Sequence, residues 1–218
     1  MVSESEVLNL IQEAKKPEKE RKFTQALELY IVLKDIDVKK GFALNEVIEL
    51  PKQMTQPAAI CVMATGDMSL KAKSAKADQV IDNDELDTLA GNKRESRKLI
   101  NKYDFFLADT KLMPVVGKSL GQLLGPRGKM PTPVPFNAPI ESFLERFRHS
   151  IRVRLKNSLS LSCKFGDVTM DDNDLASNAM AVINAIEKKL PNGSKNFKKF
   201  MVKTTMGKAI KLEQKVRK

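Results

Sequence analysis

Two cysteines, one histidine and no long apolar run set the first limits on this chain of 218 residues. Cys61 and Cys163 both sit inside apolar, strand-like runs, so buried thiols are expected, not a disulfide or a metal site, and no redox chemistry is expected. The lone histidine, His149, reads as a residue at a helix C-terminus. No apolar stretch approaches the roughly 20 residues a membrane span needs. Met1 to Lys15 is acidic and amphipathic, unlike a signal peptide, so a cytoplasmic protein is expected.

Nucleotide fingerprints are missing too. Gly117-Lys118-Ser119 follows a strand-like run as a phosphate loop does, but Leu112 stands where that loop needs its first glycine. No Gly-x-Gly-x-x-Gly follows any strand, so a dinucleotide site lacks its signature. The acidic stretch Asp82 to Asp87 has neither the glycine nor the terminal glutamate of a calcium loop, and helix capping accounts for it. No cofactor, metal or catalytic residue is expected, and no enzyme. A DNA-binding regulator would carry a recognition helix rich in Arg, Asn or Gln, whereas the basic residues here fall mainly on strands and loops.

What the chain does have is positive charge. Lys and Arg number 38 against 27 Asp and Glu, a net charge of +11 and a pI near 9.6, which favours a polyanionic partner, with nucleic acid first. The hydrophobic fraction of 42% supports real cores.

Ser3 and Glu6 form a capping box ahead of Val7, Leu10, Ile11 and Ala14 at helical spacing. Leu27, Leu29, Ile31 and Leu33 alternate with Glu28, Tyr30, Val32 and Lys34, a strand with one wet face, and Glu46 to Leu50 reads as its partner. From about Gln56 the texture changes. Ala58 to Ala64, Gln79 to Ile81 and Phe105 to Ala108 are apolar strand runs separated by helical patterns over Asp84 to Tyr103 and Val115 to Leu124, which predicts a small parallel α/β domain. Gly125 to Pro135 reads as a rigid basic loop. After Ser150 alternation returns: Ile151 to Leu155 and Leu159 to Phe165 predict a hairpin across Lys156-Asn157-Ser158, and Asp172-Asn173-Asp174 caps a long helix ended by Pro191-Asn192-Gly193.

That order predicts a two-layer α+β domain made of both termini, residues 1–55 plus 151–218, with a Rossmann-like parallel α/β domain, 56–150, inserted and joined by two linkers. The last strand carries the most distinctive stretch. Phe200, Val202 and Thr204 alternate with Met201, Lys203 and Thr205, and the strand stops at Met206-Gly207. Hydroxyls, lysines and a soft methionine at a glycine suit sugar and phosphate oxygens, the glycine permitting positive φ or close approach to another molecule. Taken alone, the same residues also describe a plain hairpin turn.

Three motifs resemble one family. Lys22-Phe23 with Glu28 five residues on, Gly125-Pro126-Arg127-Gly128-Lys129-Met130-Pro131, and Thr204-Thr205-Met206-Gly207 together resemble the archaeal form of the large-subunit ribosomal protein family called "L-one", over nearly the whole chain. The resemblance implies a terminal domain with a Rossmann-like insertion and binding of large-subunit rRNA at the mobile stalk near the tRNA exit site. It also implies repression of the protein's own mRNA and deacylated tRNA as a further partner, by a monomer within the ribosome. Carried over, RNA contacts fall on Lys22, Phe23, Glu28, Thr204, Thr205, Met206 and Gly207, with Lys164, Lys199 and Lys203 adding less specific attraction. Arg127 and Lys129 are secondary candidates for RNA or tRNA, or simply cap the inserted sheet. Lys208 departs from the proline common in relatives. The alternative class is an RNA-binding regulator or nucleotide-binding enzyme outside the ribosome.

Overall fold

The computed structural model describes residues 3–16, 21–37, 42–135, 138–155 and 158–213. The chain begins with α1 (Glu4–Lys15), β1 (Ala26–Leu33) and β2 (Leu44–Glu49). A middle stretch holds β3 (Ile60–Met63), α2 (Asp67–Ser74), β4 (Gln79–Ile81), α3 (Asn83–Gly91), α4 (Lys93–Lys102), β5 (Phe105–Asp109), α5 (Met113–Ser119), α6 (Gly121–Arg127), β6 (Thr132–Val134) and α7 (Ile140–Arg148). The last part holds β7 (Ser150–Leu155), β8 (Ser160–Asp167), α8 (Asp172–Glu187), β9 (Phe197–Thr204) and β10 (Ile210–Glu213). Two compact units result, Met1–Gln56 with His149–Lys218, and Pro57–Arg148.

The capping box at Ser3 closes: Ser3 Oγ accepts from the Glu6 amide and Glu6 Oε2 accepts from the Ser3 amide at 2.9 Å. Those bonds from Ser3 hold the Glu6 carboxyl below its usual pKa. Val7, Leu10, Ile11 and Ala14 form the buried stripe of α1. β1 buries Leu27, Leu29, Ile31 and Leu33 and lies inside an antiparallel sheet of order β10-β9-β1-β8. α1 and α8 pack on one face of this sheet in a single core with Phe165, Phe200 and Val202. Lys15 ties the helices together, its Nζ donating to Asp172 Oδ1 at 2.6 Å. The cap of α8 sits one residue earlier than expected, at Asp171, with Asp172 and Asp174 in the first turn beside its positive end.

Strand pairing departs from expectation. β7 and β8 do not form a hairpin ladder: β8 pairs with β1, while β7 pairs with β2 in a separate two-stranded ladder. β2, expected beside β1, is therefore the partner of β7. Alternation fixes which side chains turn inward but not which strand lies alongside. Of the turn expected between β7 and β8, Lys156 and Asn157 lie outside the described residues.

In the other unit, β4-β3-β5-β6 form a parallel sheet whose central strands β3 and β5 are buried throughout. Helices on such a sheet leave no wet face, hence the unbroken apolar runs. The helix expected over Asp84 to Tyr103 is broken at Asn92, whose side chain accepts from the Arg94 and Glu95 amides and caps α4. The Gly125 to Pro135 loop is shorter than expected. Gly125 to Arg127 close α6, Gly128 ends it at φ 69°, and Thr132–Val134 become β6 beside β5.

Candidate nucleic-acid interface

β9 runs out at Thr204, which is only 6% exposed and lies opposite Leu27 of β1. Thr205-Met206-Gly207 then turn, and the Gly207 amide donates to the Thr204 carbonyl at 3.1 Å. Gly207 is needed for space, not for positive φ. A Cβ there would meet Thr204 Oγ1 at 2.2 Å, so the close approach is to the turn's own first residue.

This turn is lashed to the start of β1, some 180 positions away in sequence. The Thr205 amide donates to the Ala26 carbonyl at 3.0 Å. Thr205 Oγ1 accepts from the Ala26 amide at 3.1 Å and donates to the Ala26 carbonyl at 3.3 Å. The Met206 amide donates to Gln25 Oε1 at 3.1 Å. These bonds hold Met206 against Gln25 and Ala26 at the entry to β1. Met206 is 58% exposed, and Phe23, two residues before Gln25, is 53% exposed, with exposed Lys22 next to it in sequence.

The sheet face opposite the helices continues this edge. Glu28 lies in register between Lys203 of β9 and Lys164 of β8. Lys203 Nζ stands 4.0 Å from Glu28 Oε2, and the Tyr30 hydroxyl donates to the same oxygen at 2.7 Å. That bond, with some burial, raises the Tyr30 pKa above its usual value. Lys203 also lies 5.7 Å from the Tyr30 ring centroid, within cation–π range. Lys164 turns away to Asp167 Oδ1 at 3.0 Å; Asp167 is 4% exposed and its other oxygen has no partner among the described residues. Lys199 follows on β9, opposite Val32. The result is a mixed-charge, hydroxyl-bearing plane, not a uniformly cationic one.

The secondary candidates sit in the other unit. Lys129 Nζ donates to the carbonyls of Ile100 and Tyr103 at 2.9 and 2.6 Å, satisfying the C-terminal end of α4. Arg127 is exposed, one guanidinium nitrogen donating to the Leu123 carbonyl at 3.3 Å.

Two groups escaped the sequence reading. Tyr30 was legible as an outward residue two beyond Glu28, but Gln25 shows its role only once its side chain meets the Met206 amide. The second group, Lys16 and Arg21, lines a cleft of about 350 Å³ beside the Gly207 turn together with Lys208, which the sequence had already singled out.

A model of the ribosomal protein L1p/L10e family matches residues 12–208, taking in both halves of this edge. The chain belongs to that family. It is 66% identical over 211 residues to the "Large ribosomal subunit protein uL1" of Cenarchaeum symbiosum, covering 97% of each chain. It is 39% identical to the protein of that name from Methanothermobacter thermautotrophicus, covering 96% of this chain and 99% of the relative. The corresponding Archaeoglobus fulgidus protein is 38% identical, covering 97% and 99%. As a member of the L1p/L10e family the chain is not an enzyme. Among the described residues no helix is long and apolar enough to cross a membrane, and no cluster of three His, Cys, Asp or Glu is placed to hold a metal ion.

Proposed function

We propose that this protein is a constituent of the large ribosomal subunit and binds large-subunit rRNA at the mobile stalk near the tRNA exit site. The contact surface is the edge formed by Lys22, Phe23, Glu28 and the Thr204 to Gly207 turn, extended by Lys164, Lys199 and Lys203. One observation carries the reading. The hydrogen bonds from Thr205 and Met206 to Ala26 and Gln25 fix exposed Met206 against the entry to β1, two residues after exposed Phe23, beside a sheet of hydroxyls and paired charges.

Folded RNA presents 2′-hydroxyls, sugar edges and unstacked bases, so a preformed surface of this composition reads it by shape. Phe23 packs on a base or ribose, and Met206 follows the contour next to it. Glu28, fixed by Tyr30 and Lys203, accepts a hydrogen bond from a 2′-hydroxyl or base amine and disfavours a misplaced phosphate. The names of the relatives support the ribosomal setting.

The same surface serves a second role, repression of the protein's own mRNA through an RNA structure like the ribosomal one, and deacylated tRNA is a further partner near Arg127. Hydroxyl-radical footprinting of the full-length protein on large-subunit rRNA tests the main reading. A single compact protected element is expected; diffuse protection across the RNA contradicts it. For repression, the leader of the protein's own mRNA is expected to compete with that rRNA element for one site, and simultaneous binding of both refutes a shared surface.

A further inference from the structure

The cleft beside the Gly207 turn is built from three separated parts of the chain, the end of α1, the segment entering β1, and the turn into β10. Its cations come from all three: Lys16, Arg21 and Lys208, each exposed. Lys15 also reaches the wall but is bonded to Asp172 and to the Met170 carbonyl, so it braces the helices. Among the described residues, Glu13 is the one carboxylate in the lining. The C-terminal end of a helix repels anions, and here two lysines at the end of α1 offset that partial negative charge.

The rest of the wall is apolar or a hydrogen-bond donor. Val168, Ile210 and Met206 supply carbon surface, and Gln25, whose oxygen is taken by the Met206 amide, keeps its NH₂ group as a donor. A volume near 350 Å³ lies at the small end of ligand sites, enough for one ribose phosphate and too small for a duplex. Single-stranded loops splay such units out, and the edge proposed above to bind RNA shares Thr204, Met206 and Gly207 with this cleft.

We propose that this cleft seats one nucleotide of the bound RNA, its phosphodiester held by Lys16, Arg21 and Lys208 and its ribose against Met206 and Ile210. The inference rests on the RNA-binding reading and adds a site to it. Lys208 is then a phosphate ligand.

Phosphate-ethylation interference tests it. Large-subunit rRNA fragments, sparsely ethylated on their phosphates, are selected for binding by the full-length protein, by a Lys16→Gln/Arg21→Gln/Lys208→Gln variant, and by Lys98→Gln, which removes an exposed cation from the other unit. The native protein and Lys98→Gln are expected to reject RNAs ethylated at one shared phosphate. The triple variant is expected to tolerate that modification, with affinity down roughly tenfold and melting temperature unchanged. Identical interference maps for the native and triple-variant proteins overturn the cleft, as does a triple variant weakened equally at every phosphate. Competition by inorganic phosphate alone, with no change in the RNA map, assigns the cleft to a free anion and also overturns it. A native protein that selects no phosphate at all refutes the RNA-binding reading itself.

Discussion

Gly207 sits directly against the side chain of Thr204. Alanine there drives a Cβ into Thr204 Oγ1, and overpacking of this kind costs about 1–3 kcal/mol. Gly207→Ala is expected to lower the melting temperature, and Thr204→Ala added to it to recover most of the loss; a double variant no better than the single one contradicts the steric cause. Thr205 and Met206 divide the remaining work. The Thr205 hydroxyl is engaged with Ala26, so Thr205→Ala is expected to cost both stability, by about 0.5–1.5 kcal/mol, and RNA affinity. Met206 is mostly in water, and Met206→Ala is expected to weaken RNA binding by about 1–3 kcal/mol at unchanged stability in thermal melts. The thiols are inert for a related reason. Burial pushes Cys163 up to about 12, and burial with the charges of Glu85 and Asp78 pushes Cys61 up to about 12. Raised above the unfolded value, they favour the folded state at neutral pH and lose that contribution as pH climbs towards 12. Iodoacetamide at pH near 8 is expected to leave both unlabelled until the chain unfolds, as counted by mass spectrometry.

β1 organises the terminal unit, since its ladders to β8 and β9 bring the two ends of the chain together. Gly166 of β8 faces α8: a Cβ there would run into Cδ2 of Leu175, a buried side chain of that helix. Gly166→Val is therefore expected to destabilise by about 1–3 kcal/mol in chemical denaturation; native stability would mean that the Leu175 side chain turns aside without cost. The faces of β1 and β9 were legible because alternation marks them residue by residue, and the parallel unit because its buried strands read as unbroken apolar runs. Pairing was not. The β7–β8 hairpin was expected from nearness in sequence, yet β8 lies beside β1 and β7 beside β2, choices made by the shared core. The break at Asn92 was written locally, in a glycine followed by a capping asparagine, but the helical period on either side masks it. The site divides the same way: Phe23, Glu28 and the turn were readable as motifs, while Gln25 and the three-part cleft depend on contacts across the fold that no window of sequence contains.

At the scale of the whole molecule, a net charge of +11 guarantees attraction to any polyanion, so affinity alone does not separate recognition from condensation. Salt does. Each phosphate contact contributes about 0.7–0.9 to the slope of log affinity against log salt, and shape contacts contribute none. The slope for the rRNA element is expected to be well below the value for all the positive charge, with binding persisting at moderate salt, because paired charges such as Glu28 with Lys203 add little. On the proposed function, the edge joining the two termini carries the specificity. The most direct test is the affinity of a Phe23→Ala/Met206→Ala variant for a large-subunit rRNA fragment, measured by filter binding beside its melting curve. A loss of at least about 30-fold, some 2 kcal/mol, at unchanged melting temperature is expected. Native affinity in that variant, or a loss matched by an equal fall in stability, would contradict RNA recognition at this edge.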